Sequence, residues 1–500
     1  MVNLLQCSSQ DFWPWIQSLG IQYHIGWDGL SFTLVALVSL MSLIAMGASF
    51  YVQHQVKTLI ISLLLLETTL MGAFLSLDLV LFYVFFELSL IPVFMLISIW
   101  GGEKRVYAAI KFFLYTFLGS LFMLLGMIVL ANLHKKVTGE LSFSLLDIQS
   151  VVASGKFWEH YMPLQTLIFW AFAIAFMIKS PLFPFHSWLP ITYKQSPAVV
   201  LIISAVLLKL GSYGFLRFCL PLFPDVIKAQ IPILMALAVI GILYGAALAV
   251  IQSTVTGLIG YSSLSHMGIV MVGIFSLTHD GLMGGALQQI NHGVTTGLLF
   301  LLAGLLFERT RTYVLKDYGG LKSQMPLLAT FFLIGVLSSV GLPGLNGFVG
   351  EFLAFIGVFQ ASFNHLFGLN VWYGVLAVGG VILSAVYLLR LYQSLFYGSP
   401  AHPVLKKLKD LKFFEVAMAS VLTFIIFQIG IYPQTVLRIL EPSMKATRQM
   451  ALMPAGERPI WKKKSKKVSL EIMIENQSKP MRKNTEIIVE TKIKEPNENF

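Results

Sequence analysis

Hydrophobic residues in this chain come in long blocks, not in the short periodic clusters of a soluble domain. A helix needs about 20 apolar residues to cross about 30 Å of hydrocarbon. Blocks of that size stand near 29–52, 58–78, 80–99, 107–132, 163–183, 196–219, 230–251, 256–276, 282–307, 325–360, 372–397 and 413–434, the 325–360 block being long and broken. The pattern predicts an all-α polytopic membrane protein with about 12 transmembrane helices. Basic residues fall on every second connection: Lys57; Lys104 and Arg105; Lys194; Arg309, Arg311, Lys316 and Lys322; Lys406, Lys407 and Lys409. The other connections hold Lys135, Lys136, Lys228 and little else. The positive-inside rule places the first set toward the cytoplasm or matrix and the N-terminus outside. An even number of spans leaves the C-terminus outside as well. The basic run WKKKSKKV (461–468) sits uneasily there: either the count of spans is off by one, or the long tail escapes a rule that governs short loops.

Segment by segment, 1–25 reads as an extramembrane stretch and 26–132 as the first helices. Residues 133–162 read as a loop, and 163–220 as a broken helix and a lysine-bearing helix that end a first repeat. A second repeat follows over 228–400, broken at 341–344; 411–440 is the last transmembrane helix, and 441–500 a charged tail, disordered or docking. The repeat rests on two interrupted helices. One carries Lys179 ahead of Pro181, Pro184 and Pro190; the other, five helices later, breaks at Gly341-Leu-Pro-Gly344 ahead of Glu351. Discontinuous helices in corresponding positions mark inverted repeats in transporters, so inverted five-helix repeats with two broken helices are expected.

Composition agrees: 56% of residues are hydrophobic, 12% charged, and the mean hydropathy is +0.78. Of the net charge of +11, residues 457–500 contribute 11 basic against 7 acidic residues, so nucleic acid is not needed to explain it. Cys7 and Cys219 offer neither a disulfide framework nor metal-ligand spacing. The start, MVNLLQCSSQDFW, lacks the basic and apolar regions of a cleaved signal peptide.

Against this apolar background, ionisable residues inside the blocks carry the candidate chemistry, because such groups are costly in hydrocarbon. Lys179 and Lys209 are read as buried functional lysines, with His186 between them; for Lys179, near a helix end, snorkelling is the plainer alternative. Glu87, in LVLFYVFFELSL, must be paired or neutral. Glu67 is a second buried acid and a weaker case, and for Lys111 snorkelling and a proton-path role stand equally. Arg390, near a helix end, is read as snorkelling. His266 and His292 lie on consecutive helices beside Ser262, Ser263, Ser265, Gln288, Gln289 and Asn291, a polar stripe suited to proton relay. Glu351 follows the Gly/Pro break as a terminal proton acceptor. The order Glu87, Lys179, Lys209, His266, His292, Glu351 describes a line of proton sites across successive helices. No dinucleotide loop, cysteine cluster or haem motif accompanies it, and nothing has the ligand set of a metal site.

With these residues in view, the chain resembles the antiporter-like, proton-pumping subunits of respiratory complex I, and among them the subunit 4 (M or D) type. The stretches that carry the resemblance are LDLVLFYVFFELSLIPVFMLISIWGG, KSPLFPFHSWLP, LLKLGSYGFLRF, YSSLSHMGIVMVGIFSL, INHG, DYGGL and LPGLNGFVGEF, within about residues 22–440. The resemblance implies that Glu87 is the family's glutamate, Lys179 the broken-helix lysine, Lys209 the bridging lysine, His266 and His292 relay histidines and Glu351 the terminal acid. Sister subunits and the related Mrp antiporter subunits usually place lysine at that last position. Departures from the family pattern are Ile191-Thr192-Tyr193 after HSWLP, Val255-Thr256-Gly257 before IGYSSLSH, two helices expected ahead of IQYHIGWDGLSF, and the charged tail.

The resemblance implies a membrane-arm subunit of an NADH:quinone oxidoreductase that translocates protons, with no redox chemistry on this chain. FMN, iron–sulfur clusters and quinone are then expected in partner subunits, with antiporter-like sister chains on both sides. The bacterial plasma membrane, the mitochondrial inner membrane and the thylakoid are all compatible. The rival readings are an Mrp-type cation/proton antiporter subunit and a non-pumping structural subunit of the membrane arm.

Overall fold

The computed structural model describes residues 9–159 and 162–459. It opens on an antiparallel hairpin, β1 (Ser9–Ile16) and β2 (Ile21–Trp27). Its turn ends at Gly20, φ +67°, where a Cβ would run into Leu141 O. Leu77 N–H donates to His24 O at 2.9 Å and ties the hairpin to the bundle. Trp13, Trp15, Tyr23 and Trp27 are exposed on it, as suits a membrane–water interface. Most of the segment read as extramembrane is therefore folded. Its alternating DFWPWI and QYHIGW carry the period of two that a strand needs.

The helices follow as α1 (Gly29–Ala48), α2 (Val56–Leu75), α3 (Leu79–Leu88), α4 (Leu90–Trp100), α5 (Arg105–Thr138), α6 (Leu145–Ala153), α7 (Lys156–Glu159), α8 (Met162–Lys179), α9 (Trp188–Gln195), α10 (Ala198–Leu207) and α11 (Lys209–Gly214). A π turn (Phe215–Cys219) leads to α12 (Leu220–Leu222), α13 (Pro224–Val250), α14 (Val255–Phe275), α15 (His279–Thr310), α16 (Pro326–Val340), α17 (Asn346–Phe363), α18 (Val371–Phe396), α19 (Phe413–Ile431) and α20 (Gln434–Leu452). The twelve apolar blocks of the sequence map onto α1, α2, α3–α4, α5, α8, α10–α12, α13, α14, α15, α16–α17, α18 and α19. Side-chain caps start several of them. Asp28 accepts from Ser31 N–H, Asp78 from Val80 and Leu81 N–H, Thr254 from Gly257 N–H and Thr278 from Gly281 N–H.

Burial is concentric. In the apolar windows of α14 and α15, 94% of positions are buried, against 39% in α5, α18 and α19. The two helices that carry His266 and His292 are thus screened from lipid by the rest.

Both expected helix breaks are present. After Lys179 the chain leaves the helix, and Trp188 Nε1 donates to the orphaned Ile178 O at 2.9 Å. α16 ends at Gly341, φ +81°, where Gly341 N–H reaches Ser338 O and Leu342 N–H reaches Leu337 O. That is a Schellman cap.

Two sequence boundaries are corrected. Residues 133–162 are not a plain loop: α5 runs on to Thr138, and α6 and α7 follow. The last transmembrane helix, read as 411–440, ends at Ile431, and the expected tail from 441 is helical to Leu452. α20 is amphipathic and buries Leu440, Ser443, Met444, Ala446, Met450 and Ala451. Ile439 O lies so close to Gly29 that a Cβ there would overlap it. Arg448 Nε donates to Leu277 O, and Arg458 pairs with Asp225 at 3.4 Å. The polar half of α20 dilutes its apolar content, so composition hides the stripe of core contacts on its other half. The rest of the tail, from 460, lies outside the described residues.

Candidate proton-path site

The site is built on helix ends and on the two central helices. Lys209 opens α11, just ahead of the π turn, and is fully buried. Its Nζ lies 2.6 Å from His292 Nδ1, on α15, and 3.9 Å from Met267 Sδ, on α14. His292 Nε2 meets Thr296 Oγ1 at 3.3 Å. The His266 ring stands 5.9 Å from the His292 ring, centroid to centroid. His266 Nδ1 lies 3.1 Å from Glu351 Oε1, and Gln288 Nε2 donates to the same oxygen at 3.2 Å. Lys209, His292, His266 and Glu351 thus form one line, contributed by α11, α15, α14 and α17.

A cavity of about 10 Å³, on the order of one water in size, lies between the histidines. His266, Gln288, Asn291, His292, Thr295 and Thr296 line it. His266 Nε2 and Asn291 Oδ1 are buried without a hydrogen-bond partner, and both residues face this cavity. Beyond it, Thr295 meets Ser338 at 2.8 Å, Ser338 donates to Asn346 at 2.5 Å, and Asn291 Nδ2 donates to Asn346 O at 2.7 Å. These bonds tie the broken α16–α17 element to α15. The sequence reading missed Thr295, Thr296, Ser338 and Asn346; Thr295 and Thr296 follow His292 at the helix spacing of the polar residues it did single out, whereas Ser338 and Asn346 flank the Gly/Pro break.

Lys179 is also fully buried. Its Nζ stands 4.6 Å from the centre of the Phe86 ring and 3.5 Å from Ser89 Oγ, where α3 gives way to α4. Glu87, half-buried on α3, makes no direct ion pair with it; Ser120 of α5, Tyr83 of α3 and Lys179 lie within its electrostatic reach. Its Oε1 has no hydrogen-bond partner. The two lysine-bearing helices touch: a Cβ on Gly211 would overlap Ser180 Oγ and Phe176 O. Small residues thus bring the end of α8 against α11, two residues from Lys209.

The remaining candidates stand apart from this line. His186 stacks on Phe183 and meets Tyr244 edge-on at 5.1 Å. Lys111 is half-exposed on α5, and Glu67 half-buried on α2. Arg390 is exposed and donates to Val250 O at 2.9 Å, a helix-end role.

A second buried polar cluster was not anticipated. Arg217, in the π turn, pairs with Asp28 at 2.6 Å and also donates to Ser31 and to Tyr213 OH. Tyr213 OH donates in turn to Phe74 O at 3.0 Å. Burial alone would raise the Asp28 carboxyl, but the Arg217 guanidinium and the hydrogen bonds it accepts hold it below the usual carboxylate range. Two opposite charges in otherwise apolar surroundings were the available signal. Among the described residues no three His, Cys, Asp or Glu side chains are grouped as metal ligands.

Comparison with known proteins follows the same lines. The family described as "NADH:quinone oxidoreductase/Mrp antiporter, TM" matches residues 76–377. The NADH-quinone oxidoreductase subunit M of Rickettsia prowazekii is 39% identical over 438 residues, 87% of this chain and 85% of that one. A chain of respiratory complex I from Thermus thermophilus superposes with a TM-score of 0.79 at 34% identity, covering 90% of this chain and 91% of that one. A chain of the Mrp complex from Dietzia shares the fold, with a TM-score of 0.76 at 21% identity, over 94% of this chain and 50% of that one. The chain belongs to the NADH:quinone oxidoreductase/Mrp antiporter transmembrane family.

Proposed function

We propose that this chain is a membrane-arm subunit of an NADH:quinone oxidoreductase and moves protons across the membrane while partner subunits carry electrons from NADH to quinone. FMN, iron–sulfur clusters and quinone belong to those partners, and antiporter-like sister chains flank this one. The observation that carries the reading is the buried line Lys209–His292, His266–Glu351, gathered around the two helices, α14 and α15, that are sealed from lipid. Ionisable groups are costly in hydrocarbon, and a structural subunit has no need of them there.

The geometry gives each group a task. Lys209 Nζ and His292 Nδ1, 2.6 Å apart, share one proton comfortably, because two cations at that distance repel strongly in a low-dielectric interior. A proton arriving at Lys209 therefore drives the proton of His292 onward. The water-sized cavity beside both histidines provides a step toward His266. Glu351, hydrogen-bonded to His266 and Gln288, takes the proton at the far end. Glu87 biases the other end: its negative charge favours Lys179 as the ammonium, and neutralising it releases that proton toward Lys209. Domain by domain, the end of the first repeat (163–220) supplies the lysines and the second repeat (228–400) the histidines and Glu351.

The test is NADH-driven proton uptake in inverted membrane vesicles, measured beside NADH:quinone reduction. Glu87→Gln, Lys179→Ala and Glu351→Gln are each expected to cut pumping at least about tenfold, the scale of a lost proton-transfer group. Near-normal pumping in all three would remove the mechanism. The likeness of fold to an Mrp complex supports a second reading, a cation/proton antiporter subunit. Purification separates the two: flavin, iron–sulfur spectra and NADH-dependent quinone reduction accompany the first, and Na⁺-dependent proton exchange in a colourless assembly the second.

A further inference from the structure

Glu67 is an acid that the proton line does not use. It sits on α2, roughly 16 Å of helix from Val56 and roughly 12 Å from Leu75 at 1.5 Å per residue, so neither end of the helix is within its reach. α2 buries Leu59, Leu63, Leu66, Leu70, Ala73 and Phe74 against the bundle. Its other side presents Ile61, Leu64, Leu65 and Thr68, all exposed, and Glu67 lies half-buried on the border, in one stripe with Ile60, Leu64 and Met71. Glu67 has no ion-pair or hydrogen-bond partner among the described residues. Thr68 is already engaged, its hydroxyl donating to Leu64 O at 2.8 Å. Glu87, on the neighbouring helix, has Ser120 and Lys179 within electrostatic reach; no such group is found near Glu67.

Elsewhere the outward faces are mainly what lipid requires, the half-exposed Lys111 of α5 standing only six residues from the start of its helix. α5 shows Ile110, Leu114, Leu118, Leu121 and Leu125, and α19 shows Val421 and Phe424. A carboxyl at mid-membrane on the perimeter breaks that rule, and such groups are retained where they pair or line a polar space. We propose that the outward face of α2 around Glu67 is an intersubunit surface. It receives a transmembrane helix of another chain of the same complex, one that sets a lysine or arginine opposite Glu67. Charge complementarity selects this occupant: an acyl chain offers the carboxylate nothing, whereas an ammonium or guanidinium at the same depth neutralises it. Ile61, Leu64 and Leu65 supply the apolar surround that keeps water from such a pair. The proposal rests on the reading of this chain as one of several in a membrane arm.

The experiment is labelling with dicyclohexylcarbodiimide, which modifies carboxyl groups accessible from lipid, read by mass spectrometry at Glu67. It is performed on the intact purified complex and on the same complex after a harsher detergent has split the membrane arm. Glu67 is expected to be protected in the intact complex and modified after splitting. Modification in the intact complex would overturn the proposal, because Glu67 would then face lipid as a neutral acid. Protection in both states would overturn it too, because the chain's own packing would be the shield. As a second measurement, Glu67→Lys should lower the fraction of chain found in the assembled complex at least about tenfold relative to Glu67→Gln, since like charges would meet across the contact. Equal assembly of the two variants would count against it. Failure of the functional reading shows separately, as an assembly without flavin or NADH-dependent quinone reduction, whatever the labelling gives.

Discussion

Lys209 and His292 share one short contact, and that contact makes their roles inseparable. Removing either leaves the other buried without its proton partner. Lys209→Met and His292→Ala should each lower NADH-driven proton uptake at least about tenfold, and the double variant should lose no more than the worse single one, as expected of residues acting as a unit. Multiplying losses, in the same vesicle assay, would show that the two act independently. The residue types at these positions were legible from the sequence, because a lysine and two histidines stand out in apolar blocks. Their pairing was not. Sequence order puts His266 before His292, yet Lys209 contacts His292, and His266 serves Glu351. Consecutive antiparallel helices bring residues together by depth, not by order. Arg217 and Asp28, 189 positions apart, show the same limit: each is an odd charge when read alone, and a 2.6 Å ion pair only once α1 and the π turn meet.

At the scale of the element, the contact between α8 and α11 decides where the buried lysines stand. Gly211 allows the Ser180 turn to rest directly on α11. A side chain there must displace backbone, because its Cβ would overlap Phe176 O. Gly211→Val is therefore expected to push α8 off α11 and to lower the amount of folded chain, measured as the yield of monodisperse protein after detergent extraction. Wild-type yield and pumping in that variant would refute the close approach. The π turn that follows, Phe215–Cys219, carries Arg217 to Asp28 and Ser31. Such turns recur at functional sites because the extra residue re-aims side chains. The prolines announced the first break and the Gly-Leu-Pro-Gly run the second. No residue pattern announces a π turn, since it arises when tertiary bonds outweigh one α-helical hydrogen bond.

At the scale of the whole molecule, the arrangement solves one problem: keeping an ionisable line inside a membrane. Among the described residues, ten helices are long and apolar enough to cross, beside shorter broken halves, and two of the ten are almost wholly buried and enclosed by the rest. Polar groups are cheaper there because they pair with one another and see no lipid. α20 completes the packing by lying against α1 and α15, joined to Leu30 N–H through Ser443 and to Leu277 O through Arg448. Leu440→Asp or Met444→Asp, on its buried face, should lower the thermal midpoint of the purified complex, whereas Arg438→Ala, on its exposed face, should leave it unchanged. A shift of similar size in all three would mean that α20 is held by its charges and not by its apolar stripe. Each buried leucine or methionine contributes about 1.5–3 kcal/mol, enough for such a shift to be read.

The helical class, the apolar blocks, the two breaks and the ionisable residues standing inside those blocks were all legible in the chain before folding. Each of these follows from local composition: hydrocarbon thickness sets block length, proline and glycine set breaks, and a charge in an apolar block is visible without neighbours. Which histidine meets Lys209, and that Glu351 rests on His266 and Gln288, emerged only with the packed fold. It also left Glu67 on the perimeter without a partner among the described residues, paired Asp28 with Arg217, and turned the start of the supposed tail into a packed helix. Those facts depend on rotation and depth of helices distant in sequence, and helix periodicity fixes a residue's own face but not the face it will meet.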